Sequence, residues 1–106
     1  MSLDLRLTQY PRRVLAEFIQ RRCLCTHHTF VELEWMRRDA EVAHWHAKAS
    51  ALVDELKAAV GKDPRGFLEL SDQIDHAWAE ADRAHARCER RVRAIREHFR
   101  VKEHEE

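Results

Sequence analysis

The sequence predicts an all-α protein in which a short N-terminal helix packs on a long antiparallel helical hairpin, with self-association completing a helical bundle. Three observations carry this expectation. The seam Phe67, Leu70, Ile74, Trp78, Ala81, His85, Cys88, Val92, Ile95, Phe99 advances in steps of three and four without a helix breaker, the repeat of one long helix with a single buried stripe. Directly before it lies Gly61-Lys62-Asp63-Pro64, a helix stop followed by a helix start, and before that comes a second helical run of similar length. Finally, the 106 residues include only 2 Gly and 2 Pro, with 44% hydrophobic and 36% charged residues, which leaves little besides helix.

Taken in order, Pro11 suits the first turn of a helix whose apolar face is Val14, Leu15, Phe18 and Ile19, running from about 11 to 24. Thr29-Phe30-Val31-Glu32 fits a capping box for a second helix, from about 29 to 60. Gly61 then provides the left-handed closing residue. Asp63 caps and Pro64 opens the third helix, from about 64 to 99, and residues 101–106 are expected to fray. All three belong to one domain spanning 1–106.

Helix 2 carries two apolar stripes. Val31, Val42, Trp45, Ala49, Leu52, Leu56 and Val60 share one side and match helix 3. Leu33, Met36, Ala40, Ala43 and Ala47 lie around from them, over about the length of helix 1. A turn near residue 62 places residue i level with roughly 124 − i. Trp45 then falls beside Trp78, and Arg38 beside His85 and Glu89, a polar layer that would fix register. Helix 1 is too short to cover a hairpin roughly 50 Å long. The apolar residues near the turn (Leu52, Leu56, Phe67, Leu68, Leu70, Ile74) therefore predict a homodimer.

Composition excludes several classes. No run of about 18 apolar residues exists, so no membrane span is expected. The start Met-Ser-Leu-Asp-Leu-Arg lacks the apolar core of a signal peptide, and three cysteines without an export signal predict reduced thiols in the cytoplasm. Net charge is zero but unevenly placed. Residues 54–82 hold eight acids, Glu69, Asp72 and Asp75 among them, against three bases, and residues 83–100 hold seven arginines against two acids. The turn end is acidic and the base basic, so each is a candidate partner surface.

Four constellations could carry chemistry. Cys23, Cys25, His27 and His28, with His98 brought near by the register, are zinc-ligand types at the base of the hairpin. Cys23 and Cys25 cannot share a metal within one helix, because residues two apart point about 200° apart. Glu41-x-x-His44 facing Asp82-x-x-His85 has the spacing of a di-metal bundle but lacks two carboxylates. Cys88 is a thiol on an apolar seam, where thiols are inert. The arginines Arg87, Arg90, Arg91, Arg93 and Arg96 could neutralise phosphates, which makes nucleic acid a candidate partner. No glycine-rich phosphate loop exists. The expectation is a non-enzymatic protein-interaction module, an adaptor, inhibitor or regulator. A nucleic-acid-associated protein comes second and a small zinc-binding helical protein third.

Overall fold

The computed structural model describes residue 3, residues 5–21 and residues 26–105. A 3-10 turn at Leu7–Gln9 precedes three helices, α1 (Arg12–Arg21), α2 (Thr26–Ala59) and α3 (Pro64–Glu105), with no strand among the described residues. The two long helices pack on each other as a hairpin, with the short helix before them. No helix among the described residues is long and apolar enough to cross a membrane.

Local chemistry sets the ends. The Pro11 carbonyl accepts from the Leu15 N–H at 3.1 Å, so α1 begins directly after the proline. Residues 22–24, the expected end of that helix, lie outside the described residues. The second helix already includes Thr26, His27 and His28, ahead of the expected Thr29. Thr29 and Glu32 therefore sit inside it, past the N–H groups that a capping box serves. At the hairpin turn Gly61 has φ +77°, and the Lys62 N–H donates to the Ala59 carbonyl at 3.1 Å. The Asp63 carboxylate accepts from the Arg65 N–H at 3.1 Å, and its carbonyl accepts from the Phe67 N–H at 3.0 Å. The third helix continues to Glu105, past the last apolar residue of the stripe, because the sequence there holds neither glycine nor proline.

The chain divides into two compact units: Met1–Ala40 with Ala86–Glu106, and Glu41–His85. The first holds the main core: Tyr10, Val14, Phe30, Val31, Leu33, Met36, Cys88, Val92 and Ile95, with Leu15, Phe18 and Phe99 packed against it. A fully buried aliphatic or aromatic side chain contributes about 1.5–3 kcal/mol, so this cluster dominates the stability of its unit.

The second unit is a two-helix hairpin with a different seam. Its buried residues are Ala49, Leu52, Ala77, Ala81 and Ala84, whereas Phe67 and Trp78 are 37% and 47% exposed and His85 is exposed. The stripe expected through Trp78 and His85 is thus displaced by one residue, onto Ala77 and Ala84. Small residues on the contact line let two helices approach closely, and the bulky neighbours move to the flanks. The register is close to the expected one, but the tryptophans do not pair. Trp45 meets the His76 ring edge-on at 5.8 Å, and Trp78 meets the His46 ring at 4.9 Å.

Candidate functional site

Among the described residues, the first unit holds one buried charged residue, Glu34, 1% exposed on α2 amid Val31, Leu33 and Met36. A carboxylate there requires donors on all sides. The Tyr10 hydroxyl donates to it at 3.0 Å and Arg37 donates to both its oxygens, at 2.9 and 2.6 Å. Arg91, reaching across from α3, donates through its Nε, and its Nη2 donates onward to the Gln9 side-chain oxygen at 2.6 Å. The Arg37 guanidinium also lies 5.0 Å above the Tyr10 ring. One carboxylate thereby ties the segment before α1 to both long helices.

Burial, reinforced by the negative charge of Glu34, pushes the Tyr10 hydroxyl well above the usual tyrosine range. Burial opposes the Arg91 charge, but the hydrogen bond to Glu34 and the charge of that carboxylate, together with Tyr10, more than offset this and hold the guanidinium charged. Cys88 donates weakly to the Glu34 carbonyl at 3.5 Å, and burial pushes its thiol up. It is therefore a poor nucleophile. The register-fixing polar layer is thus Glu34 with Arg91. Arg38 instead pairs with Asp39 at 3.0 and 2.9 Å.

Beside this network runs an open groove of about 410 Å³. Its floor is Cys88 and Val92. Trp35, 38% exposed, and Arg38 line it from α2, while Arg93, Arg96 and Arg100 with Glu89 and Glu97 line it from α3. The α3 arginines recur at steps of three and four, which puts them on one helix face. Arg100 is paired with Glu97, at 2.9 and 2.7 Å. Arg93 and Arg96 are exposed, and among the described residues neither has a hydrogen-bond or ion-pair partner. Four guanidiniums against two carboxylates make the groove an attractive site for negative charge.

The structure distributes the sequence-predicted residues unevenly. Arg93 and Arg96 line the groove, Arg91 is engaged by Glu34, and Arg87 and Arg90 are exposed on α3 outside the groove lining. Glu69, Asp72 and Asp75 are exposed on α3 in the second unit. Cys23 and Cys25 lie outside the described residues. The His27 and His28 rings stack at 5.4 Å, and His27 and His98 flank Phe99 at 5.8 and 5.2 Å. The Nε2 atoms of His27 and His98 are buried without a hydrogen-bond partner. Among the described residues no three His, Cys, Asp or Glu side chains converge as metal ligands, which also removes the facing Glu41/His44 and Asp82/His85 pairs. Sequence reasoning missed Glu34 and Trp35. The available signal was Glu34 three residues after Val31, an acid on the buried side of α2.

No family model, curated protein or solved structure matches this chain.

Proposed function

We propose that the protein is a non-enzymatic protein-interaction module, an adaptor, inhibitor or regulator, whose arginine-rimmed groove receives an acidic segment of a protein partner. The observation that carries this is the pair Arg93 and Arg96, unpartnered among the described residues beside the exposed Trp35 and above an apolar floor. Tryptophan and arginine are among the residues that dominate binding energy at protein interfaces. The titratable groups of the first unit fit a binding role better than a catalytic one, since Glu34 is engaged by Tyr10, Arg37 and Arg91, and burial keeps Cys88 protonated.

A second reading uses the same groove. Trp35 could stack a nucleobase while the arginines take phosphates. Charge reversal separates the two, and it must spare Arg91, one of the two guanidiniums that pair with the buried Glu34. The Arg93→Glu/Arg96→Glu variant is expected to lose a discrete protein partner that the parent captures from its host, while the parent shows no affinity for DNA or RNA at physiological salt. Arg93- and Arg96-dependent oligonucleotide binding with a steep salt dependence would overturn the interaction reading in favour of nucleic acid. A third reading, zinc binding at the base of the hairpin, rests on the buried Nε2 atoms of His27 and His98. Elemental analysis of protein purified without chelators tests it.

A further inference from the structure

We propose that the groove's partner includes a second copy of this chain, with the acidic face of α3 in one copy seating in the arginine-rimmed groove of another. The inference rests on the interaction-module reading and names a specific occupant.

The complementary surface is in the same sequence. Leu68, Asp72 and Asp75 follow one another at steps of four and three, so they share one face of α3, flanked by Glu69 on one side and by Phe67 and Trp78 on the other. All six are exposed, Leu68 at 64% and Trp78 at 47%. This is a helix face with carboxylates next to unpartnered apolar bulk, the combination that a groove with an apolar floor and guanidinium walls accepts. Arg93, Arg96 and Arg100 recur at the same helical step, so two α3 segments can interleave turn by turn. Glu69, Asp72 and Asp75 then face the three arginines, and Leu68 lies toward Val92 and Trp35. Both stretches belong to one unbroken helix, which cannot fold one of them back onto the other, so the contact forms between copies. Because groove and face are different surfaces, each docked copy keeps one of each free. The contact is head-to-tail and builds open chains or a closed ring.

The test uses the full chain and two neutralising variants. Arg93→Gln/Arg96→Gln weakens the groove and leaves the face, whereas Glu69→Gln/Asp72→Asn/Asp75→Asn weakens the face and leaves the groove. Sedimentation of the parent at about 50 mM salt is expected to show a mass rising above 12.6 kDa between about 5 and 500 µM protein. At about 500 mM salt the apparent affinity should fall tenfold or more. Each variant alone should stay at the chain mass. Their mixture should form a 1:1 complex of twice that mass and nothing larger, which also demonstrates that both variants are folded. A parent that remains monomeric at low salt would overturn the proposal, as would either variant associating like the parent, or a mixture that stays monomeric while the parent associates. None of these outcomes touches the broader reading, which stands or falls on capture of a different protein.

Discussion

Neutralising Glu34 is the most informative single perturbation of this fold. Glu34→Gln keeps the side-chain volume but removes the charge that two guanidiniums share, and it turns an NH2 group toward donors. Of the four hydrogen bonds that the carboxylate accepts, from Tyr10, twice from Arg37 and from Arg91, about half cannot be re-formed. Each hydrogen bond involving a charged group is worth about 1.5–3 kcal/mol. The low end applies here, because the Arg37 and Arg91 side chains remain 15% and 22% exposed and keep some water. The expected loss is about 3 kcal/mol, against about 5–15 kcal/mol for a whole domain. Urea unfolding followed by far-ultraviolet circular dichroism should show a lower midpoint at unchanged slope, and thermal unfolding a fall of roughly 12–20 °C. Replacing the pair together, Glu34→Leu with Arg91→Met, should cost less than the two single changes summed, since the Arg91 charge is then not left facing an apolar side chain. A Glu34→Gln loss below about 0.5 kcal/mol would refute the claim that this network organises the unit.

Tyr10 is the only tyrosine, so the increase in absorbance near 295 nm on ionisation, above the constant background of three tryptophans, reports it. Its folded-state pKa lies above the unfolded value of about 10, so its stabilising contribution is complete below that pH and is lost as pH rises further, at about 1.4 kcal/mol per pH unit. Tyrosinate should appear only as the helix signal is lost, and an ordinary titration near pH 10 in folded protein would contradict the burial. Gly61→Ala should cost about 1 kcal/mol from backbone strain alone, because nothing lies within 4 Å of the added Cβ. A stability curve indistinguishable from the parent's would contradict a left-handed turn there. In a Cys23→Ser/Cys25→Ser background, Ellman's reagent should modify Cys88 at least about a hundredfold faster in denaturant than in buffer. Equal rates would mean that the thiol is open to the groove.

The architecture was legible because its signals are local. Gly61, Asp63 and Pro64 state a turn chemically, and the run from Ala81 to Phe99 repeats at helical steps over many turns. The seam near the turn was misread because apolar periodicity cannot distinguish Trp78 from Ala77 as the contact residue. That choice depends on how closely two helices approach, which favours the smaller side chain. The groove was legible only as a collection of arginines. Which are available depends on tertiary partners: Arg91 is claimed by a carboxylate 57 positions earlier in the chain, whereas Arg93, two residues on, faces solvent. Glu34 escaped notice because a lone acid on a helix normally faces water. Only the convergence of Tyr10, Arg37 and Arg91 makes its burial affordable.

The alanine seam of the second unit has a consequence for how opening events are distributed along the chain. Amide exchange protection follows the apolar mass that must be exposed to free each N–H. Residues 30–36 and 88–95 sit against the large side chains of the main core and should exchange only on global unfolding. Residues 41–85 bury four alanines and, of larger side chains, only Leu52, so their amides should exchange through less costly, more frequent excursions. The acidic face of α3 belongs to that softer stretch. Any ligand that grips it would register first as a slowing of exchange there, a readout that locates binding without knowledge of the ligand.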